Sequence, residues 1–230
     1  MSAPAILHED ARLLAIAKPE GISAIPERDP VVPSIQRQLE ATRGEKLFVV
    51  HRIDKEVSGL LLFARTAAAH RQLSIAFERR RVDKRYLALA WGRLDAGRSG
   101  EIDQPIHEFG SGRMGVDPRG KPSITRWAAL ANGRYGDADV TLLALSPHTG
   151  RRHQLRVHLY AMGHALVGDP RYGDAALQAK APRLALHAAE AHFAWEPGAL
   201  DGGPSRYDLH APPPPSMIAI LSEARVLAAV

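Results

Sequence analysis

His51-Arg52-Ile53-Asp54-Lys55-Glu56-Val57-Ser58-Gly59-Leu60-Leu61-Leu62-Phe63-Ala64 is the stretch on which the reading of this chain turns. Its apolar run, 60–64, predicts a buried strand. Ser58 and Gly59 supply turn chemistry at the strand's entrance. Asp54 is therefore expected in a loop at the mouth of a core strand, close to apolar surroundings. A carboxylate there is costly unless a cation pairs with it or donors bond it. Two readings follow: a tethered structural ion, or a working acid, base or nucleophile. Spacing alone leaves both open.

Three further segments stand out on either side. Lys18-Pro19-Glu20-Gly21-Ile22 lies upstream. Lys84-Arg85-Tyr86-Leu87-Ala88-Leu89-Ala90-Trp91-Gly92 reads as a strand, with Tyr86, Ala88 and Ala90 on one face and Leu87, Leu89 and Trp91 on the other. Gly150-Arg151-Arg152-His153-Gln154-Leu155-Arg156-Val157-His158-Leu159 follows. It is continued by Gly163-His164-Ala165-Leu166-Val167-Gly168-Asp169-Pro170-Arg171-Tyr172-Gly173. With the opening stretch, these segments in this order resemble the motifs of the RluA-type pseudouridine synthases, across roughly residues 10–197.

Composition is compatible with that resemblance. The chain has 230 residues, 45% hydrophobic and 24% charged, enough apolar material for a sizeable core. It has no cysteine, which excludes disulfides, thiolate nucleophiles and cysteine-ligated metal centres. The first residues lack a basic region followed by an apolar signal core. No apolar stretch approaches the length of a membrane span. A cytoplasmic protein is expected. The net charge of +5 favours an acidic partner, nucleic acid above all.

Along the chain, strands are expected at 11–18, 46–50, 84–91, 123–131, 139–145 and 186–195. Helices are expected at 34–42, from a cap at Thr66, from near Arg152 to Gly163, and at 216–228. The Gly-, Pro- and Arg-rich segment 95–122 reads as exposed loop or hairpin. This order argues for an α+β class rather than alternating βαβ units. On the helix after Arg152, the stripe of Leu155, Leu159 and Met162 faces the core, which puts Arg156 near its edge.

The resemblance implies more. Its fold is a mixed, mostly antiparallel sheet in two lobes around a catalytic cleft, here one catalytic domain over 1–230. Its reaction is isomerisation of uridine to pseudouridine in ribosomal or transfer RNA, after the base leaves its stack. Asp54 is then the nucleophile, by attack on the sugar, by addition to the base, or through a glycal; the sequence does not separate these routes. Arg156 pairs with Asp54 and keeps it ionised. Tyr86 stacks on the uracil, and its hydroxyl assists loss of the proton from carbon 5. Arg52 reaches the RNA, His51 supports the loop, and Leu155 packs beneath the base or the tyrosine. Arg85, Arg151 and Arg152 fall in basic clusters that would track phosphates. No metal, redox cofactor or nucleotide is required, and a monomer is expected.

Two positions depart from the family pattern. Val57 replaces a usual threonine and removes a hydroxyl that could tie the Asp54 loop. Arg152 replaces a threonine or serine and adds charge. Only about 10 residues precede the first matching strand, so the small N-terminal RNA-binding domain of larger members is not expected. Rival readings are weaker. A histidine-metal hydrolase would use some of the 11 histidines. Yet His153 and His158 stand about 500° apart around a helix and do not share a face. A protein kinase lacks its glycine-rich loop and Asp-Phe-Gly segment here. A non-catalytic RNA-binding module would have little need to keep Asp54, Tyr86 and Arg156 together.

Overall fold

A computed structural model describes residues 3–27, 29, 31–110, 112–195 and 205–230. In chain order its first elements are β1 (Ile6–Glu9), β2 (Leu13–Lys18), α1 (Ile35–Arg43), β3 (Phe48–Val49), β4 (Ser58–Ala64), α2 (Ala67–Glu78) and β5 (Asp83–Trp91). Next come β6 (Ser99–Asp103), β7 (Ile106–Glu108), β8 (Met114–Val116), β9 (Ile124–Tyr135) and β10 (Ala138–Pro147). The chain closes with α3 (Gln154–Ala161), α4 (Ala175–Gln178), β11 (Leu186–Ala194), β12 (Arg206–His210), α5 (Pro215–Glu223) and a 3-10 turn at Leu227–Ala229. The class is α+β with mostly antiparallel strand pairing.

Two compact units share these elements. One comprises Met1–Lys84 and Ala188–Pro213, the other Arg85–His187 and Pro214–Val230. In the first unit, strands run in the order β1, β2, β4, β11, with β3 on β4 and β12 on β11. β2 and β4 pair from Leu13↔Ala64 to Lys18↔Gly59. Every residue of β4 is buried. Leu61 and Phe63 meet Leu14, Ile16, Ile35 and Leu39, so α1 lies on that face. Each fully buried aliphatic side chain of this kind stabilises by about 1.5–3 kcal/mol.

Both helices of this unit begin where their cap residues place them. Ser34 Oγ accepts from Arg37 N at 3.4 Å and Thr66 Oγ1 from Ala69 N at 3.1 Å, satisfying amides that the first turn leaves open. Gly59 was expected in a turn but lies inside β4. There β11 needs it: a Cβ would sit 2.2 Å from the Ala188 carbonyl oxygen, and its φ of +114° suits only glycine.

In the second unit, β5, β10, β9 and β6 are neighbours in that order. Its core gathers Leu89, Trp91, Val140, Leu142, Met217 and Leu221, which brings α5 against the sheet. Here the segment 95–122 holds the hairpin expected of it, β7 paired with β8 from Ile106↔Val116 to Glu108↔Met114, but it is not all exposed. It carries β6, β7 and β8, and Ile102, Ile106 and Met114 are buried. These strands are too short and too interrupted by glycine and proline to show a period. β1, β12 and α4 were likewise unforeseen. The last helix stops at Glu223, short of the expected 228, because Arg225 takes a left-handed φ of +59°.

Candidate active site

The first unit holds Asp54 in the loop before β4. Ile53 and Val57 are buried on either side of it, while Asp54 itself is half-buried. Val57 N donates to the Asp54 carbonyl at 3.1 Å and closes a turn through Lys55 and Glu56. That main-chain bond does not depend on the hydroxyl Val57 lacks. The turn is clamped by Lys18, which is 1% exposed. Its Nζ donates to the carbonyls of Pro19 (2.7 Å), Ile22 (2.9 Å) and Lys55 (3.1 Å), spending three N–H groups on main chain. Gly21 N also donates to Lys55 O, at 2.8 Å. The Lys-Pro-Glu-Gly segment thus braces the Asp54 loop, a role that spacing alone did not give it.

His51 braces the other side. Its ring stacks on Phe77 of α2 at 4.8 Å between centroids, and Nε2 accepts from Leu62 N at 3.0 Å. Burial, with the Lys84 charge nearby, pushes its pKa down to about 3. A neutral imidazole is what an acceptor Nε2 requires. Arg52 is exposed.

The second unit holds Tyr86 and Arg156. Tyr86 pairs with Leu145 across β5 and β10 and is half-buried, where Leu87 to Trp91 are all buried. Arg85 is exposed. Arg151 is half-buried and Leu155 buried, whereas Arg152 is exposed and paired with Glu108 at 3.0 Å. The charge added at Arg152 is thus offset within the protein.

Arg156 does not lie at the edge of an apolar stripe, as the helical spacing predicted. Residues from Gln154 to Leu159 are all buried, and the Arg156 side chain is fully enclosed. Its Nε and Nη2 each bond Asp169 at 2.8 Å. Asp169 Oδ1 also accepts from Arg171 N (2.9 Å) and Tyr172 N (3.2 Å). The Tyr172 ring lies under the guanidinium, 5.4 Å from Cζ. This side-on pairing commits one edge of the guanidinium to Asp169 and directs its Nη1 end elsewhere.

Polar groups around α3 are satisfied in turn, which lets a helix carrying Gln, Arg and His be buried on all sides. Gln154 accepts from Thr149 Oγ1 and Arg151 N and donates to Ile124 O and Thr125 Oγ1. His158 Nε2 faces the Gln104 carbonyl at 3.0 Å and so carries a proton. Nδ1 faces the Thr125 hydroxyl, and burial holds the pKa below the ordinary value. His153 starts the helix at φ +55° and reaches the Tyr172 hydroxyl at 2.9 Å. Asp169, Tyr172 and Gln154 had no assigned role in the sequence. Their signal was an acid before proline and an amide before a helical run, too common to read alone.

Of the two units, the first thus holds Asp54 half-buried in a braced loop, and the second holds Tyr86 half-buried on β5 and Arg156 enclosed against Asp169. Fold and motifs together define an RNA-modifying isomerase. A family model described as RNA pseudouridylate synthase matches residues 12–161. The dual-specificity RNA pseudouridine synthase RluA of Pasteurella multocida is 36% identical over 191 residues, 82% of this chain and 85% of that protein. The ribosomal large subunit pseudouridine synthase C of Vibrio cholerae is 37% identical over 216 residues, 90% of this chain and 65% of that protein. The structure titled Human RNA Pseudouridylate Synthase Domain Containing 1 matches with a TM-score of 0.78 at 29% identity, over 94% of this chain and 87% of that one. The chain belongs to the RNA pseudouridylate synthase family, is of its RluA type, and is an RNA pseudouridine synthase. Among the described residues no helix is long and apolar enough to cross a membrane.

Proposed function

We propose that the enzyme converts specific uridines of transfer RNA and large-subunit ribosomal RNA, with Asp54 as nucleophile. The observation that carries the dual target is the likeness to a relative named for dual specificity, 36% identical over 191 residues. Tyr86 acts on the base, and Arg156 is the cation that the family pattern assigns to the reacting carboxylate. Arg52, Arg85, Arg151 and Arg152 serve the RNA strand. His51 and Leu155 contribute through packing. The isomerisation is stoichiometrically closed: one glycosidic bond breaks, one carbon–carbon bond forms, and one proton leaves carbon 5 while N1 regains one. It consumes no cofactor. Residues 1–230 act as one catalytic domain, as a monomer, in the cytoplasm where such RNA resides.

Pseudouridine mapping by carbodiimide and primer extension, on RNA from cells with and without this gene, tests the proposal. Lost sites in both RNA classes, restored by wild type and not by Asp54→Asn, are expected. A loss confined to one class restricts the target, and no loss in either overturns it.

A further inference from the structure

A recess in the first unit lies apart from the catalytic motifs. Gln72, Leu73 and Ala76 of α2 line one side, Phe193 and Trp195 at the end of β11 the other, and Arg81 completes it. Two polar atoms in this lining are buried without a partner: Gln72 Oε1, an acceptor, and Trp195 Nε1, a donor. Trp195 is 5% exposed. Each such unmade bond costs about 1–3 kcal/mol. A ligand that reached both would have to offer one donor and one acceptor.

The enclosed space is about 50 Å³, which admits the edge of a ring but not a nucleoside. Apart from Gln72 and Arg81 the lining is aliphatic or aromatic, as the flat faces of a base require. Arg79, Arg80 and Arg81 are exposed beyond the end of α2. A lipid tail would satisfy neither polar atom, and a phosphate carries no donor when ionised. The Watson–Crick edge of any nucleobase presents a donor beside an acceptor.

We propose that this recess takes the edge of one base of the bound RNA, at a nucleotide other than the reacting uridine, with its phosphate towards Arg79–Arg81. The inference rests on RNA being the substrate. Phe77, on the helix that forms one wall, stacks on His51. A base seated there bears on the same helix that braces the Asp54 loop.

The indole N–H signals of the three tryptophans in a ¹H–¹⁵N spectrum of the full chain provide the test. The probes are the four nucleoside 5′-monophosphates and an oligouridylate dodecamer. The Trp195 signal is expected to shift with at least one probe, in wild type and equally in Asp54→Asn. A Trp195 signal that stays still with every probe overturns the proposal and leaves the recess to water. Pseudouridine formation by the same wild-type preparation on total cellular RNA separates the two claims. Formation with a still signal removes only the recess, and no formation removes the enzymatic reading. In kinetics, Gln72→Leu and Trp195→Phe should each raise KM for the modified RNA about three- to tenfold, and more than they lower kcat. An unchanged KM in both variants counts against the proposal.

Discussion

Asp54 and Asp169 are two aspartates that the same chain treats in opposite ways. Asp169 is 1% exposed and saturated: a guanidinium takes both its oxygens, and two backbone amides add to one of them. Asp54 is half-buried, and the bonds that fix its loop run to main-chain carbonyls, including its own. The first carboxylate is spent on holding Arg156. The second is presented by a scaffold that grips the backbone around it. The contrast teaches that an acid can be positioned through the main chain around it as well as through its own oxygens.

The sharpest test of that contrast is to neutralise each acid. Asp54→Asn should abolish pseudouridine formation, a loss of several orders of magnitude. Its unfolding free energy should stay within about 1 kcal/mol of wild type. A large drop in stability would show that Asp54 is also structural. Asp169→Ala should do the reverse in kind, costing about 3–5 kcal/mol in denaturant titration, because it strips Arg156 of its bidentate partner in an enclosed site. The double variant Arg156→Met with Asp169→Leu should regain much of that stability and still form no product. A double variant no more stable than Asp169→Ala would assign the loss to the backbone amides on Asp169 instead.

Lys18→Met asks whether the clamp matters as much as the acid it presents. Three carbonyls lose a donor, which should cost about 2–4 kcal/mol and lower kcat through a loosened Asp54 loop. Full activity at reduced stability would separate the clamp from the chemistry. His51 gives a pH signature. Its folded pKa of about 3 lies below the ordinary histidine value, so between pH 6.5 and 3 the unfolded chain binds the extra proton. Stability therefore falls as the pH is lowered through that window, by at most about 1.4 kcal/mol per unit from this group. His51→Gln should show a shallower decline over the same range. The smallest effect is Thr66→Ala, which removes the cap of α2 and should cost about 1 kcal/mol with kinetics unchanged.

Local signals of the fold were legible. Ser34 and Thr66 announced their helices because capping is a contact between near neighbours in sequence. β4 announced itself because five apolar residues in a row have few alternatives. The bounds of the strands within 95–122 were not legible, because strands of three to five residues owe their existence to partners rather than to their own pattern. Candidate residues could be named only where a motif carries them, at Asp54, Tyr86 and Arg156. Their surroundings were not legible. Arg156 was misplaced because helical spacing assumes one wet face, and α3 has none. The clamp of Lys18 was not legible because nothing local in the sequence shows that three carbonyls converge on its amine.

The division of the chain into interleaved units has a consequence for its synthesis. β4 lies between β2, which precedes it, and β11, which is made more than a hundred residues later. At ordinary elongation rates that delay is on the order of 10 s. Through it β4 waits on the ribosome with β2 on one edge and only the two-residue β3 on the other. The second unit waits too, since Met217, Ile220 and Leu221 close its core. Neither unit closes before its late segments are made, β12 at Arg206–His210 for the first and α5 at Pro215–Glu223 for the second, so the two complete their cores close together in synthesis.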